Sequence, residues 1–267
     1  MDFQSFMAAQ PTDDDHLADL GAKVQTSGVT GENSSTPVLA AGKPGLRFFA
    51  DFGPAYTKLT GANHDYQKDI ANRYEEQGEI NYTHLRTDAE RYAQIQTQVD
   101  DILNSVRNNG NSVFGAWQGT AADTANAHFT EFLDQGRRTL TQFGTLASTI
   151  TVVVDAVDRI CFEKAAAVKS LTADRIGPCA KSDVDFLVDF AGRCAAGDFS
   201  DEELTRVANL CGLDVTPTLC RTNPRAFEKV SEDVNGWLTT IFVPFYEARL
   251  AKFDAACTAA KDTLAIA

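Results

Sequence analysis

Val113-Phe114-Gly115-Ala116-Trp117-Gln118-Gly119-Thr120 is the stretch whose reading decides the fold. It separates two long segments with helical periodicity, and it holds one of the two tryptophans of the chain. We read it as the turn of a helical hairpin. Upstream, an apolar seam starts at Leu85 and continues through Tyr92, Ile95, Val99, Ile102 and Val106, at heptad-like spacing. Arg91, Gln94, Gln96, Gln98 and Asp101 fall off that seam, as the wet face of a helix requires. Asn108-Asn109-Gly110-Asn111 tolerate left-handed backbone and predict the end of this first arm.

Downstream, Thr120-x-x-Asp123 has the spacing of a capping box, with Asp in place of the usual Glu or Gln. The second arm then carries Phe129, Phe132, Leu140, Phe143, Ile150, Val154, Val157 and Cys161, again mostly at heptad positions. It runs without proline to about Ser170, so an unbroken helix would span about 75 Å at ~1.5 Å per residue. Gly136 and Gly144 weaken it locally. A helix of that length needs the first arm and a further partner to pack against.

Outside the hairpin the signals are shorter. Residues 1–45 read as a flexible tail: Asp13-Asp14-Asp15 is a charge run, and Thr26–Pro44 is rich in Ser, Thr, Gly and Pro. A marginal helix around Phe3, Phe6 and Met7 is compatible with its start. Arg47–Phe52 is an aromatic cluster that anchors the tail, followed by a polar, helix-compatible stretch (Ile70, Tyr74) with Gly78 as a break. In the insertion at 177–222, Ser182-x-x-Asp185 and Ser200-x-x-Glu203 start two short helices, and Gly212 ends the second. Asn223-Pro224 opens the last helix, which presents Phe227, Val230, Val234, Trp237, Ile241 and Phe245 on one face. Pro244 predicts a kink near Thr240. The expected architecture is all-α. A long antiparallel hairpin (46–176) packs with a C-terminal helix (223–267), which completes the bundle beside the small insertion.

A net charge of −13 disfavours binding to nucleic acid or anionic lipid by bulk charge. The first residues lack the basic and apolar regions of a secretory signal, so export would have to use a route that reads something else. The apolar stretch Leu146–Val157 is interrupted by Ser148, Thr149, Thr151 and Asp155, and reads as too short and too polar to span a bilayer. Its membrane contact stays an open alternative.

Candidate chemistry is sparse. His16, His64, His84 and His128 have no metal-ligand spacing, and neither a phosphate loop nor a nucleophile elbow occurs. No catalytic residue, metal site or cofactor is expected. All six cysteines lie at or after Cys161, without a Cys-x-x-Cys pair. If the insertion is a hairpin, Cys179 and Cys220 sit at its ends and Cys194 and Cys211 face each other inside it. Both pairs are then sterically plausible disulfides, against the alternative of six buried thiols. Cys161 and Cys257 are offset by roughly 36 Å along the bundle axis, and should stay apart unless the Pro244 kink folds the helix back.

The hairpin with Trp117-Gln118-Gly119 in its turn resembles the WXG family of small proteins exported by type VII secretion systems. It is similar too to the hairpins of Pro-Pro-Glu proteins and larger secretion-associated substrates of actinobacteria. The resemblance covers about Leu85–Ser170. It implies a non-catalytic helical assembly, with itself or with a helical partner, recognised by a secretion ATPase. It assigns Trp117 and Gly119 to an export and interaction motif. It implies secretion or cell-envelope residence after a cytoplasmic stage. In that family a Tyr-x-x-x-Asp/Glu element accompanies the turn, and no tyrosine here has Asp or Glu at that offset. The element must then come from a partner chain, or the protein is not itself a substrate; the last helix is expected to fill in cis the groove that a partner would occupy. Two other functions compete: a membrane-active protein or toxin N-terminal module, and an intracellular helical scaffold.

Overall fold

The computed structural model describes residues 14–194 and 199–266. The fold is all-α. Two helices dominate: α4 (Tyr82–Ala116) and α5 (Thr120–Lys169) form the hairpin. Before them come α1 (Asp14–Ser27), α2 (Ser35–Gly42) and α3 (Arg47–Thr60), then a connector of irregular helical turns from Tyr66 to Gln77. After them come a two-residue β ribbon (Arg175–Ile176 with Cys179–Ala180), α6 (Lys181–Cys194), α7 (Asp201–Cys211) and α8 (Pro217–Thr222). The chain closes with α9 (Pro224–Trp237) and α10 (Val243–Ile266).

The hairpin is one structure with two surroundings. From Val154 to Val168 one face of α5 is buried, with Val154, Val157, Cys161, Ala165 and Val168 in contact with the main core. There α5 packs on α2, the turn after it, and α10. Gly45 is what lets that turn approach, because a Cβ at this position would land on the Val168 carbonyl. Phe48, Phe49 and Phe52 of α3 close the core against Tyr246 and Phe253 of α10. Two charged side chains are buried in this base. Asp158 accepts from the Thr30 amide (2.7 Å) and hydroxyl (2.6 Å), pinning the loop before α2. Lys164 donates to the carbonyls of Arg73 (3.1 Å) and Tyr74 (2.8 Å) and to Gln77 Oε1 (2.6 Å). Burial holds the Lys164 ammonium below its ordinary pKa, since its three acceptors are all neutral.

Several expectations need correction. Residues 14–45 are not a flexible tail: they hold α1 and α2, with Leu20, Val38 and Leu39 in the core. The Ser/Thr/Gly composition hid them, because few residues (Leu20, Val38, Leu39 and Ala41) carry their burial. The expected helix around Phe3, Phe6 and Met7 lies outside the described residues. Asn108–Asn111 do not end the first arm, which runs on to Ala116. The insertion also contains the β ribbon, which no alternating pattern announced. The first of its helices begins at Lys181, with the Asp183 carboxylate accepting from the Ala180 amide (3.0 Å) in place of a Ser182 cap.

Other signals read true. Ser200 and Glu203 form the reciprocal capping box, and Gly212 (φ +67°) closes α7. Asn223 caps α9 through the Arg225 amide (3.1 Å), with Pro224 at the first helical position. Next to Pro244 the helical hydrogen bonding changes register: a wide π turn, Leu238–Phe242, lies between α9 and α10.

Candidate functional site

The turn that carries the motif lies at the tip of the projecting arm. Trp117 leaves the helix in extended conformation and Gly119 turns the chain at φ +102°, a backbone region in which a side chain is strained. The Gly119 carbonyl accepts from the Ala122 (2.8 Å) and Asp123 (3.1 Å) amides, so Gly119 is the N-cap of α5. Thr120 is already helical, which is why the capping box expected from Thr120 and Asp123 does not form. Asp123 contributes instead as an acid in the first turn, near the positive end of the helix dipole.

The tip is an aromatic stack. The Trp117 ring lies parallel to Phe114 at 6.2 Å, and Phe114 packs on Phe129 of α5 at 5.5 Å. Phe129 in turn covers Gly110, where a Cβ would collide with its ring. Gly110 therefore serves close helix packing within α4, not chain termination. Trp117 is nonetheless 46% exposed, so it presents a large apolar surface to solvent at the extremity of the arm.

Below the tip the two helices share a thin core of Leu103, Leu133 and Leu140, flanked by Val99, Val106 and Phe129. The apolar seam is wider than this pair can bury. Ile102 (59% exposed), Phe132 (58%) and Val152 (68%), with Ile95, Val113 and Leu146, remain open. The groove that the last helix was expected to fill in cis is not filled. α10 lies along the base instead, where Arg249 donates to the Leu171 carbonyl (3.3 Å) and Arg73 pairs with Asp254.

Residues 77–158 match the family model of WXG100, proteins of 100 residues with WXG. Over that segment the hairpin is similar to the WXG100 family. No curated protein and no solved structure matches the chain. WXG100 proteins are helical, type VII secretion-associated and non-enzymatic, and they self-associate or pair with helical partners. The WXG100 match ends at Asp158, where α5 enters the core, so α1 to α3 and everything from the ribbon onward lie outside it.

The WXG100 arm carries little charge-based chemistry. His128 and Glu131 stand 4.0 Å apart on its open surface, and no cluster able to hold a metal occurs among the described residues. Asp155, which interrupts the apolar stretch, is paired with Arg86 (3.0 Å) at the neck of the arm. By length and composition alone α5 is long and apolar enough to cross a membrane, a test that the stretch Leu146–Val157 does not meet by itself.

All six cysteines are unbridged. The two anticipated disulfides fail on register. Pairs Arg193–Glu203 (2.6 Å) and Arg206–Asp183 (2.7 Å) show α6 and α7 running antiparallel. Residues before α6 therefore meet residues at the end of α7. The thiol that influences Cys211 is accordingly Cys179, while Cys194 faces Ser231. Cys161 and Cys257, expected far apart, share the surroundings of Lys164 and Tyr74, because α9 packs on the insertion and only α10, with Arg249 level with Leu171, runs beside α5. Sequence reading missed the tip platform, Phe114 with Gly110 and Phe129. The signal was there: a glycine and an aromatic in α4, each placed to meet one residue of α5.

Proposed function

We propose that this protein is a substrate or assembly partner of a type VII secretion apparatus, and that it acts through helix association along the open face of the hairpin. The observation that carries the reading is Trp117: an exposed tryptophan fixed on Phe114 at the tip of an arm whose apolar seam is only half covered. Trp117 and Gly119 have separate roles. Gly119 builds the turn, and Trp117 is the surface that a partner or a secretion ATPase reads. Without a Tyr-x-x-x-Asp/Glu element in this chain, a helical partner supplies it. Residence outside the cytoplasm is part of the same proposal.

The test is export of Trp117→Ala from cells carrying the secretion ATPase. Export is lost while helix content and the unfolding midpoint stay as in the parent. Normal export of this variant overturns the assignment. Trp117 is the better target than Gly119, whose replacement strains the turn itself.

A second reading, membrane activity, rests on α5: only 22% of its most apolar window is buried. Liposome leakage separates the two, since a secretion partner releases no trapped dye at neutral or acid pH.

A further inference from the structure

The insertion brings Cys179 and Cys211 to one level. Cys179 stands in the β ribbon opposite Ile176, just ahead of α6. Cys211 is the last residue of α7, before Gly212 turns the chain out of the helix. At this end the register of the two antiparallel helices is set by Arg206, which pairs with Asp183 (2.7 Å) and donates to the Ser182 carbonyl (3.3 Å). Cys179 lies about one turn before Asp183, and Cys211 about one turn beyond Arg206. Cys211 also continues the buried face of α7, following Leu204, Val207 and Ala208 at helical spacing. It packs against the core cluster that contains the fully buried Cys179.

The remaining thiols have other surroundings. Cys194 is at the opposite end of α6 with Ser231, and Cys161 and Cys257 lie around Lys164 in the base. Burial alone acts on Cys220. Burial pushes the thiols of Cys179 and Cys211 up to about 11, and the Cys179 sulfur adds to the shift on Cys211. Access distinguishes the two. Of the six cysteines, Cys211 is the one that is not buried, so a reagent in solution meets it first.

We propose that Cys179 and Cys211 are a redox pair, which a small disulfide such as oxidised glutathione converts to an intramolecular disulfide by entering at Cys211. The Cys211 thiol gives its proton to solvent, and its sulfur attacks the oxidant. The oxidant's S–S bond breaks, one glutathione leaves as its thiolate, and the other stays on Cys211. Cys179 then loses its proton and attacks the Cys211 sulfur, expelling the second glutathione. Two electrons pass from the pair to the oxidant, which ends as two thiols. The bond ties the ribbon to the end of α7 and stabilises the insertion. This chemistry is independent of the secretion reading and of the hairpin.

The experiment treats the reduced full chain with oxidised glutathione at about pH 8, then alkylates and maps the thiols by mass spectrometry. The parent loses two of its six alkylatable thiols, yields a peptide linking Cys179 to Cys211, and keeps no glutathione. Its urea midpoint rises. Thiol loss is about tenfold faster at pH 8 than at pH 7, because each thiolate is still scarce in that range. Cys179→Ser stops at the first step, with one glutathione held on Cys211. Cys211→Ser takes up no glutathione at Cys179, and Cys220→Ser leaves the link as in the parent. The parent map needs no variant and serves alone should Cys179→Ser lose its fold. The proposal is overturned by six thiols that all remain alkylatable, by a link from Cys211 to any other cysteine, or by glutathione that stays on Cys211 of the parent.

Discussion

The two ends of α5 belong to the same helix and have little else in common. Toward its C-terminus, from Val154 to Val168, it is a core element walled by α2 and α10 and tied by buried Asp158 and Lys164. Toward its N-terminus it is one of two rods in water, with three buried leucines shared between them. The difference teaches that helical periodicity reports an apolar face but not what covers it. In the base that face is covered in cis. In the arm about half of it is left over, and the arm holds the motif.

Substitutions break or sharpen this contrast in a definite order. Phe49→Ala in the base removes a fully buried ring packed on Tyr246 and Phe253, and costs about 3–5 kcal/mol in urea denaturation. A loss below about 1 kcal/mol would mean that the base is not the folding core. Asp158→Ala strands the Thr30 amide and hydroxyl and costs about 2–3 kcal/mol. Hydrogen exchange then shows protection lost first in α1 and α2. If the arm weakens first, Asp158 does not hold the N-terminal segment as described.

In the arm, Leu133→Ala costs about 2 kcal/mol, at the low end for a buried leucine, because a two-helix core relaxes easily. Exchange speeds up between about residues 95 and 145 while the base keeps its protection; a uniform change would erase the distinction between the two ends. Phe132→Ser comes last, within ~0.5 kcal/mol of the parent, since the ring is already 58% exposed. Its effect falls on association: sedimentation or co-purification with a helical partner weakens while stability holds. Unchanged association removes Phe132 from the interaction face.

Much of this was legible from residues. The tip and both arms follow from Trp117-x-Gly119 between two seams, and the caps at Ser200, Gly212 and Asn223 stand where their side chains or positive φ require. The less legible parts share a cause. α1 and α2 carry weak local patterns, and their helices are stabilised by what they touch: Leu20, Val38 and Leu39 are buried against residues far along the chain. Gly110 has two uses in a sequence, turning a chain or admitting a ring, and only the presence of Phe129 opposite decides between them. The cysteine pairings went astray on register, which two antiparallel ion pairs fix and spacing does not.

The sequence by itself determined the all-α class, the hairpin and its Trp-x-Gly turn, because these depend on local backbone chemistry and on periodicity within one segment. Only the tertiary structure decided where the last helix goes, which half of α5 stays bare and which thiols are neighbours. Those outcomes depend on the relative placement of segments far apart in the chain, and no pattern inside either segment encodes it.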